Sequence, residues 1–404
     1  MKIVGLIAEY NPFHNGHKYH IEKAKELSKA DAVVVVMSGN FVQRGAPAIM
    51  PKHLRAKMAL LSGADLCIEL PVPFATGTAE HFAYGSIALL HRLGCIDAIC
   101  FGSECGDIHM LKSCAEILCE EPEAYRLPLQ EFLRQGNSFP LAREKALYQA
   151  TGDKYLSDLL KSPNNILGIE YLKALYRLGS SIEPITITRK EAGYHDDTLG
   201  SVISSATAIR EYVSTHSDLS ALSNQMPQRC YAELSHQAEK RFPIYADDFS
   251  LLLKYRLLSE NAASLTQYQD VSESLANKII NNRNRFVTCE QFCELLKTKE
   301  LTYTRIGRAL FHILLGIKKE PALKEPAYAR ILGFRTEAAS VLTEINACSS
   351  IPLISKLADA RPGSDDAKLM LETDRFAADL YESVITEKYH TTFINEYEQP
   401  IVRV

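Results

Sequence analysis

Three histidines lie close together near the start of the chain, in the stretch EYNPFHNGHKYH from Glu9 to His20. His14 and His17 flank Gly16 and follow the apolar run KIVGLIA. The free N–H groups at a helix N-terminus attract anions, and glycine lets a ligand approach the backbone closely. The stretch therefore predicts a phosphate-binding turn between a first strand and a first helix, with His14 and His17 facing one phosphate chain and His20 one turn further on.

A second stretch, SVISSATAIREYV, has the composition of a helix start. Ser204 or Ser205 can cap this helix, and Arg210 then lies on its first turns. Taken alone, the serines are explained by helix capping. Together with the histidine motif, the segment predicts that its hydroxyl groups and the guanidinium of Arg210 contact the same phosphates. The chain contains no GxxxxGK[ST] P-loop and no convincing GxGxxG, which argues against kinase-type and NAD-type nucleotide binding.

The elements that must position these residues alternate in type up to about residue 213. The apolar runs KIVGLIA, AVVVVM, DLCIEL and AICFG are each followed by a helical pattern, at 16–27, 52–61, 79–93 and 108–118. Continuous apolar runs are typical of parallel strands that are buried on both faces. We therefore expect an α/β fold with a Rossmann-like, doubly wound parallel sheet, which continues through a helical stretch at 120–180 to the run IEPITIT.

Beyond about residue 215 the β-type runs disappear and helical periodicity dominates, which predicts a mainly α-helical second half. A chain of 404 residues usually forms more than one core. We expect a catalytic domain at 1–214 and a helical domain at 215–404. The net charge of −4 does not indicate a general polyanion binder, so a nucleic-acid partner requires a local basic patch.

Compartment and metal content can also be assessed from composition. No apolar run is long enough to span a bilayer and no signal peptide is evident, which predicts a cytoplasmic protein without a membrane partner. The ten cysteines are too sparse for a disulfide framework, and no metal-ligating residues are predicted.

The motifs resemble those of a known superfamily. NPFHNGH is similar to the H-x-G-H signature of the nucleotidyltransferases, and ISSATAIR resembles their I-S-S-T-x-I-R motif, from which it departs by Ala206. In that superfamily the histidines stabilise charge on the α- and β-phosphates while a nucleophile attacks the α-phosphorus and pyrophosphate leaves. Positioning and charge neutralisation account for such catalysis without a protein nucleophile.

Further stretches resemble the bacterial tRNA(Met) cytidine acetate ligase family. They are MSGNFVQRGAPAIMPKHLRAKMAL, GADLCIELPVPFATGTAEHFAYGS, FGSE, SPNNILGIEYLKAL and TRKEAGYHD. The resemblance implies that acetate is activated with ATP to acetyl-adenylate, and that the acetyl group passes to N4 of the wobble cytidine in the anticodon of elongator tRNA(Met). Mg²⁺ is expected to accompany ATP, although no carboxylate cluster marks its site.

The resemblance also implies site residues. His14, His17 and Arg210 are the expected catalytic residues. The expected ATP contacts are Ile7, Ala8, Glu9, Tyr10, Asn11, Pro12, Phe13, His14, Asn15, Gly16, His17, Lys18, Tyr19, His20, Gly102, one Asn of the PNN pair and Arg189. Asn165 is slightly favoured over Asn164. Ser38, Gly39 and Arg44, after the second strand, are a plausible wall of the same crevice.

A basic segment provides the expected RNA contacts. Residues 278–319 hold nine basic and three acidic side chains, a local excess of six positive charges. Lys278, Arg283, Arg285, Arg305 and Arg308 are the predicted phosphate contacts, with Phe286 and Tyr303 for base stacking. A solvated basic helical face is the alternative explanation.

Two other functions remain open on the sequence. One is a small-molecule cofactor adenylyltransferase, which the same histidine motif would serve. The other is a non-catalytic, ATP-responsive RNA-binding protein. The sequence does not indicate the oligomeric state.

Overall fold

The computed structural model of the chain describes residues 1–189, 205–319 and 323–404. Its strands are β1 (Ile3–Ala8), β2 (Ala32–Ser38), β3 (Phe41–Val42), β4 (Ala46–Pro47), β5 (Leu66–Leu70), β6 (Ala98–Ser103), β7 (Glu183–Thr188), β8 (Ala329–Phe334), β9 (Leu353–Ile354) and β10 (Val402–Arg403).

Helices occupy most of the remaining chain. They are α1 (Asn15–Ser28), α2 (Lys52–Leu61), α3 (Val72–Ala75), α4 (Ala79–Arg92), α5 (Ile108–Glu120), α6 (Glu123–Arg134), α7 (Phe139–Thr151), α8 (Lys154–Asp158), α9 (Pro163–Arg177), α10 (Ala206–Thr215), α11 (Gln228–Gln237), α12 (Ser250–Leu258), α13 (Ala262–Leu265), α14 (Glu273–Asn282), α15 (Cys289–Leu296), α16 (Tyr303–Leu315), α17 (Ala339–Cys348) and α18 (Asp365–Tyr389). Short 3₁₀ turns lie at Leu159–Lys161, Ser220–Asn224, Ala246–Phe249, Arg283–Arg285, Thr336–Ala338 and Leu357–Asp359.

One sheet organises the first half of the chain. Its strand order is β10-β8-β5-β2-β1-β6-β7, with β9 paired to β8. The section β5-β2-β1-β6-β7 is parallel throughout, and β1 pairs with β2 from Ile3↔Ala32 to Ala8↔Met37. The two halves of this order run outward from β1, as in a doubly wound sheet. The expected α/β fold is confirmed.

Both faces of this sheet are buried, as the continuous apolar runs predict. In β2, Val34 and Val36 pack into one core, whereas Val33, Val35 and Met37 pack into the core on the opposite face. Successive side chains of a strand point to opposite faces, so a strand between two helical layers needs apolar residues at every position.

The second half of the chain is not purely helical. Strand β8 pairs antiparallel with β5, and β9 and β10 pair parallel with β8. The expectation that β-runs disappear beyond residue 215 is therefore wrong: residues 329–334, whose sequence ARILGF is apolar except for Arg330, form a strand that extends the N-terminal sheet. Whether 1–214 and 215–404 behave as two domains remains a prediction.

A third core lies among the helices of the second half, and it includes residues of the first half. Phe41 of β3 packs against Phe249, Phe311 and Tyr381, with ring centroids 5.6, 5.8 and 6.0 Å away. The hydroxyl of Tyr381 donates to the backbone oxygen of Ala48 at 2.7 Å. The helical core is thus joined to the loops that follow β2. None of the helices in the described ranges is long and apolar enough to cross a membrane.

A buried ion cluster joins four separate parts of the chain. The Lys52 ammonium lies 2.7 Å from Glu69 and 2.5 Å from Glu396, and the Arg330 guanidinium lies 2.9 Å from Glu396. Burial alone would raise the pKa of Glu396, but Lys52, His53 and Arg330 hold it below its usual range. The cluster fastens the segment before β10 to α2, β5 and β8.

We expect Lys52→Met to destabilise the protein strongly. The substitution leaves two buried carboxylates with less positive charge beside them, which costs roughly 3–5 kcal/mol of unfolding free energy. Lys57→Met is the matched control, because the Lys57–Glu233 pair is much more exposed and contributes at most about 1 kcal/mol. Urea denaturation of both variants checks the prediction, and equal losses would contradict it.

Candidate active site

A cavity of about 1130 Å³ opens at the carboxyl end of the parallel strands. It lies where β1 and β6 run into their following loops, which is where open α/β sheets bind ligands. The first residues of α1, α9 and α10 also line it. Since each helix N-terminus carries partial positive charge, the cavity suits a polyanion.

Most of the residues predicted from the histidine motif line this cavity. They are Ile7, Ala8, Glu9, Tyr10, Asn11, His14, Gly16, His17, Tyr19 and His20. Pro12, Phe13, Asn15 and Lys18 are not among the lining residues. Phe13 is buried in the core beneath the motif, Asn15 donates to the backbone oxygen of Asn224, and Lys18 pairs with Glu22 on the helix surface.

The two central histidines cap the first helix with their own side chains. His14 is the N-cap residue of α1, and its Nδ1 accepts from the Gly16 N–H at 3.1 Å. Nδ1 of His17 accepts in turn from the His14 N–H at 3.2 Å. A neutral imidazole that accepts at Nδ1 carries its proton on Nε2. Each ring therefore retains one N–H donor, and both rings line the cavity.

Both imidazoles are neutral at physiological pH. Burial lowers the pKa of His14 to about 3, with further lowering by Arg189 and Arg210. Burial also lowers the pKa of His17, together with His14, Arg189 and His20. The motif thus presents neutral hydrogen-bond donors, and the cationic groups of the cavity are guanidinium groups.

His20 differs from this pair in its contacts. Its Nε2 lies 3.1 Å from the backbone oxygen of Cys100, so that nitrogen carries the donated proton. Burial lowers the pKa of His20 to about 4. The side chain ties α1 to β6, and its second nitrogen is left as an acceptor.

Helix α10 contributes the second predicted motif. Ser205 caps it, accepting from the Ala208 N–H at 3.0 Å, whereas Ser204 lies outside the described residues. Arg210 donates to the backbone oxygen of Asn11 at 2.7 Å and to the Thr207 hydroxyl at 3.1 Å. Thr207 and Arg210 both line the cavity, and Arg210 contacts the histidine turn directly.

The two asparagines of the PNN pair have different surroundings. The oxygen of Asn165 accepts from the backbone N–H groups of Glu104 and Cys105, at 2.9 and 3.1 Å, and this side chain is buried away from the cavity. Asn164 lines the cavity, and its oxygen accepts from Arg189 at 2.8 Å. The geometry thus favours Asn164 as the residue that faces the cavity, and the preference for Asn165 stays an untested prediction. Adjacent positions on a helix point in different directions, and the sequence does not show which one faces the ligand.

Glu104 sets the orientation of Asn164. Its carboxylate accepts from the backbone and side-chain amides of Asn164, at 3.1 and 2.7 Å, and from the Asn165 N–H at 2.7 Å. A carboxylate only accepts and a guanidinium only donates, so the Asn164 amide has one possible orientation between Glu104 and Arg189. Gly102 belongs to the same wall, where an added Cβ would lie 3.0 Å from Cγ of Arg189.

A residue that the sequence analysis missed holds the histidine turn in place. Arg55 of α2 is fully buried and donates to the backbone oxygens of Glu9, Ser38, Gly39 and Met50. Burial lowers the pKa of Arg55 to about 10, so it remains a cation. In the sequence it is one of several basic residues in a helical pattern, which gives no sign of this role.

The β3–β4 hairpin forms a third wall. The Gln43 N–H donates to the Glu9 carboxylate at 3.0 Å, and Arg44 lines the cavity. Ser38 and Gly39 do not line it; their oxygens bind Arg55 instead. Gly45 has φ +65°, and an added Cβ would overlap the backbone of Arg308 on α16.

The far side of the cavity comes from the second half of the chain. Tyr245 and Asp247 precede α12, and Glu290 lies in the first turn of α15. The Glu290 N–H donates to the Asp247 carboxylate at 2.8 Å. Burial, Asp247 and Glu211 raise the pKa of Glu290. No local sequence signal identifies these residues, because their place depends on how the two halves pack.

The predicted RNA-binding residues differ in whether their side chains are already bound to other parts of the protein. Lys278 donates to the backbone oxygen of Leu296, Arg283 to that of Glu260 at 3.4 Å, and Arg308 pairs with Asp270 at 2.9 Å. Arg285 is exposed.

The stacking prediction is wrong for Phe286. This side chain is buried in the helical core, with its ring centroid 4.8 Å from that of Phe292. Tyr303 is half-buried and packs against the same core. Within the described ranges, no group of three or more His, Cys, Asp or Glu side chains is arranged to hold a metal ion.

The chain is similar to known proteins over most of its length. Residues 1–396 match the family model described as HIGH Nucleotidyl Transferase. The chain is 44% identical over 392 residues to the tRNA(Met) cytidine acetate ligase of Acetivibrio thermocellus, covering 94% of both chains. It is 44% identical over 385 residues to the protein of that name from a Thermoanaerobacter species, covering 94% of this chain and 95% of the other.

Two crystal structures of Thermotoga maritima TmcAL are similar over their whole length. The apo form has a TM-score of 0.93, and the form bound to alpha-thio ATP has a TM-score of 0.89. Sequence identity to each is 31%, and each comparison covers 100% of both chains.

The neutral state of His14 predicts acid sensitivity. The folded-state pKa of about 3 lies below the unfolded value of about 6.5, so the unfolded chain binds more protons below pH 6.5 and stability falls as pH falls. His14→Asn keeps a capping acceptor but removes the titrating ring. Between pH 8 and pH 5, the variant should lose about 2 kcal/mol less unfolding free energy than the unmodified protein.

Urea denaturation at the two pH values measures this difference. His109→Gln is the control, since His109 is exposed on α5 and its replacement should leave the pH dependence unchanged. An unchanged pH dependence in His14→Asn would contradict the assignment of a buried neutral imidazole.

Proposed function

The chain belongs to the HIGH nucleotidyl transferase family, and we propose from this membership and the site geometry that it is a tRNA(Met) cytidine acetate ligase. It activates acetate with ATP and transfers the acetyl group to N4 of a cytidine, giving N4-acetylcytidine. We propose the wobble cytidine of elongator tRNA(Met) as the target and the cytoplasm as the compartment. The relatives named above and the ATP-analogue complex of the Thermotoga protein support this assignment.

The observation that carries the proposal is the reciprocal capping of His14 and His17. It fixes two neutral Nε2–H donors at the N-terminus of α1, on the wall of a cavity that also contains Arg189 and Arg210. We propose these four groups as the triphosphate contacts. Asn164, in place of Asn165, and Gly102 are proposed at the nucleoside end.

In the first step, a carboxylate oxygen of acetate attacks the α-phosphorus of ATP. The P–O bond to the β-phosphate breaks, pyrophosphate leaves with the electron pair, and acetyl-adenylate remains. Fixed donors aimed at the phosphates stabilise charge that develops as this bond breaks. Neutral histidines suit this role because Nε2–H can donate to a phosphate while Nδ1 accepts the hydrogen bond that caps the helix.

In the second step, the N4 amine of cytosine attacks the acetyl carbonyl carbon. The bond from that carbon to the AMP oxygen breaks, AMP leaves, and the amine loses one proton. The cavity volume of about 1130 Å³ exceeds the roughly 300–1,000 Å³ typical of a single-ligand pocket, which leaves room for a second reactant. Asp247 and Glu290, on the far wall, have the acceptor oxygens that an exocyclic amine pairs with.

The chain has no side-chain set that fits Mg²⁺ among the residues described. An ion that accompanies ATP would bind through phosphate oxygens and water, as Mg²⁺ commonly does. We assign no step of the reaction to it. For RNA contact, we propose residues 215–404 as the main surface, with Arg283, Arg285 and Arg305 as phosphate contacts. Lys278 and Arg308 contribute less, because each is already bound to another residue of the protein.

The decisive test is incorporation of labelled acetate into bulk bacterial tRNA, with and without ATP and without coenzyme A. We expect ATP-dependent label that appears as N4-acetylcytidine on nucleoside analysis. ATP binding with no label in RNA would refute the ligase assignment. Consumption of a phosphorylated cofactor precursor would then favour a small-molecule adenylyltransferase, and RNA binding without turnover would favour a binding protein.

His14→Asn separates catalysis from folding. The variant retains the helix cap but lacks the imidazole N–H, so acetate-dependent ATP–pyrophosphate exchange should fall by about 10²–10³-fold. Unfolding free energy at pH 7 should stay within about 1 kcal/mol of the unmodified protein, whereas His14→Ala also loses the cap. Exchange at the unmodified rate in His14→Asn would remove His14 from the mechanism.

A further inference from the structure

One helix of the second half exposes an apolar face. On α12, Leu251, Tyr255 and Leu258 are 79, 73 and 61% exposed. Their spacing places them on one side of the helix, and the opposite side buries Leu253 and Leu257 in the helical core. Contiguous apolar surface of this kind on a folded chain commonly marks a binding site.

Basic side chains and a further apolar residue lie next to this helix. The Lys254 ammonium donates to the backbone oxygen of Phe286 at 3.3 Å, and the Ser250 hydroxyl accepts from the Cys289 N–H at 3.0 Å. These two contacts hold residues 286–289 against α12. Val287, which is 70% exposed, and Arg285 therefore border the apolar residues.

The same surface reaches the mouth of the catalytic cavity. Asp247 lies three residues before α12 and lines the cavity, and Glu290 lies three residues after Val287 and also lines it. The Glu290 N–H donates to Asp247, so the two segments are joined at the cavity wall. A linear ligand bound along α12 would thus extend directly to the part of the cavity proposed for the second reactant.

We propose that this surface, formed by Leu251, Lys254, Tyr255, Leu258, Arg285 and Val287, docks the unpaired nucleotides of the RNA substrate. Tyr255 provides a stacking platform, Leu251, Leu258 and Val287 contact base faces, and Lys254 and Arg285 contact phosphates. Single-stranded nucleic acid is bound by this combination of aromatic platforms and cations. The inference rests on the proposed function and adds to it the place where the loop carrying the target cytidine binds.

Charge favours RNA over a second copy of this chain as the occupant. In a two-fold symmetric interface the same patch meets itself, so the cations of this surface would face one another. The phosphates of an RNA loop instead neutralise them. Asp248, the nearest acidic residue before the helix, is already paired with Lys388 at 2.7 Å.

The test combines binding and transfer assays on the full chain. Tyr255→Ala should weaken the binding of an anticodon stem-loop RNA and raise the KM for tRNA, each by about tenfold, as expected for loss of one stacking platform. Arg285→Gln should lower the slope of log binding constant against log salt concentration by about one. Both variants should retain the unmodified rate of acetate-dependent ATP–pyrophosphate exchange, which needs no RNA.

Matched controls come from elsewhere on the surface. Tyr155 on α8 is 80% exposed, and Arg361 is an exposed arginine in the loop before α18. Tyr155→Ala and Arg361→Gln should leave RNA binding, salt dependence and KM unchanged. An effect of these controls equal to that of the α12 variants would show that any surface aromatic or cation contributes, and it would overturn the inference.

The remaining outcomes separate this inference from the proposed function. If the unmodified protein forms N4-acetylcytidine and Tyr255→Ala does so with an unchanged KM for tRNA, the docking surface is wrong and the ligase assignment stands. If Tyr255→Ala dissociates a dimer in sedimentation velocity without an effect on RNA, the surface is an interface between copies. If the unmodified protein acetylates no RNA, the proposed function fails.

Discussion

The active site depends on the buried guanidinium of Arg55. This group donates to backbone oxygens from the turn after β1 and from the loop after β2, and so fixes two separate chain segments to one point on α2. A charge that far from solvent is stable only when its donors are used. The hydrogen bonds of this cation fix the position of Glu9, and therefore the path of the chain into His14, although Arg55 itself does not line the cavity.

Residues from both halves of the chain form the cavity. The β3–β4 hairpin supplies Arg44 to its wall, and Gly45 of the same hairpin packs against the backbone of Arg308 on α16. The helical core takes in Phe41, while β8 adds residues of the second half to the first sheet. A nucleotide site on the sheet and an acidic far wall from the helices are consequently held in one geometry by ordinary core packing.

The parts of the molecule that the sequence predicted are those with local signals. Fully apolar runs identify strands buried on both faces, and a histidine motif between a strand and a helix identifies the turn that lines the cavity. The missed parts depend on contacts between distant segments. Arg55 and Glu104 look like ordinary surface charges in the sequence, Phe286 looks like a stacking residue although the helical core buries it, and the choice between Asn164 and Asn165 depends on the rotation of α9. Strand β8 did have a weak signal, the short apolar stretch at 331–334, but its partner β5 lies more than 250 residues away in the sequence.

The place of β8 and β10 in the sheet has a consequence for synthesis of the protein. In the described part of the chain, residues 329–334 cover the edge of β5 and Glu396 completes the ion cluster. While the ribosome is still making the helical half, the edge of β5 in the nascent sheet is unpaired and Lys52 lacks one of its two acidic partners. Such an edge can pair with other chains. Newly made chains therefore pass through a stage in which association with a chaperone, or with one another, competes with closure of the sheet.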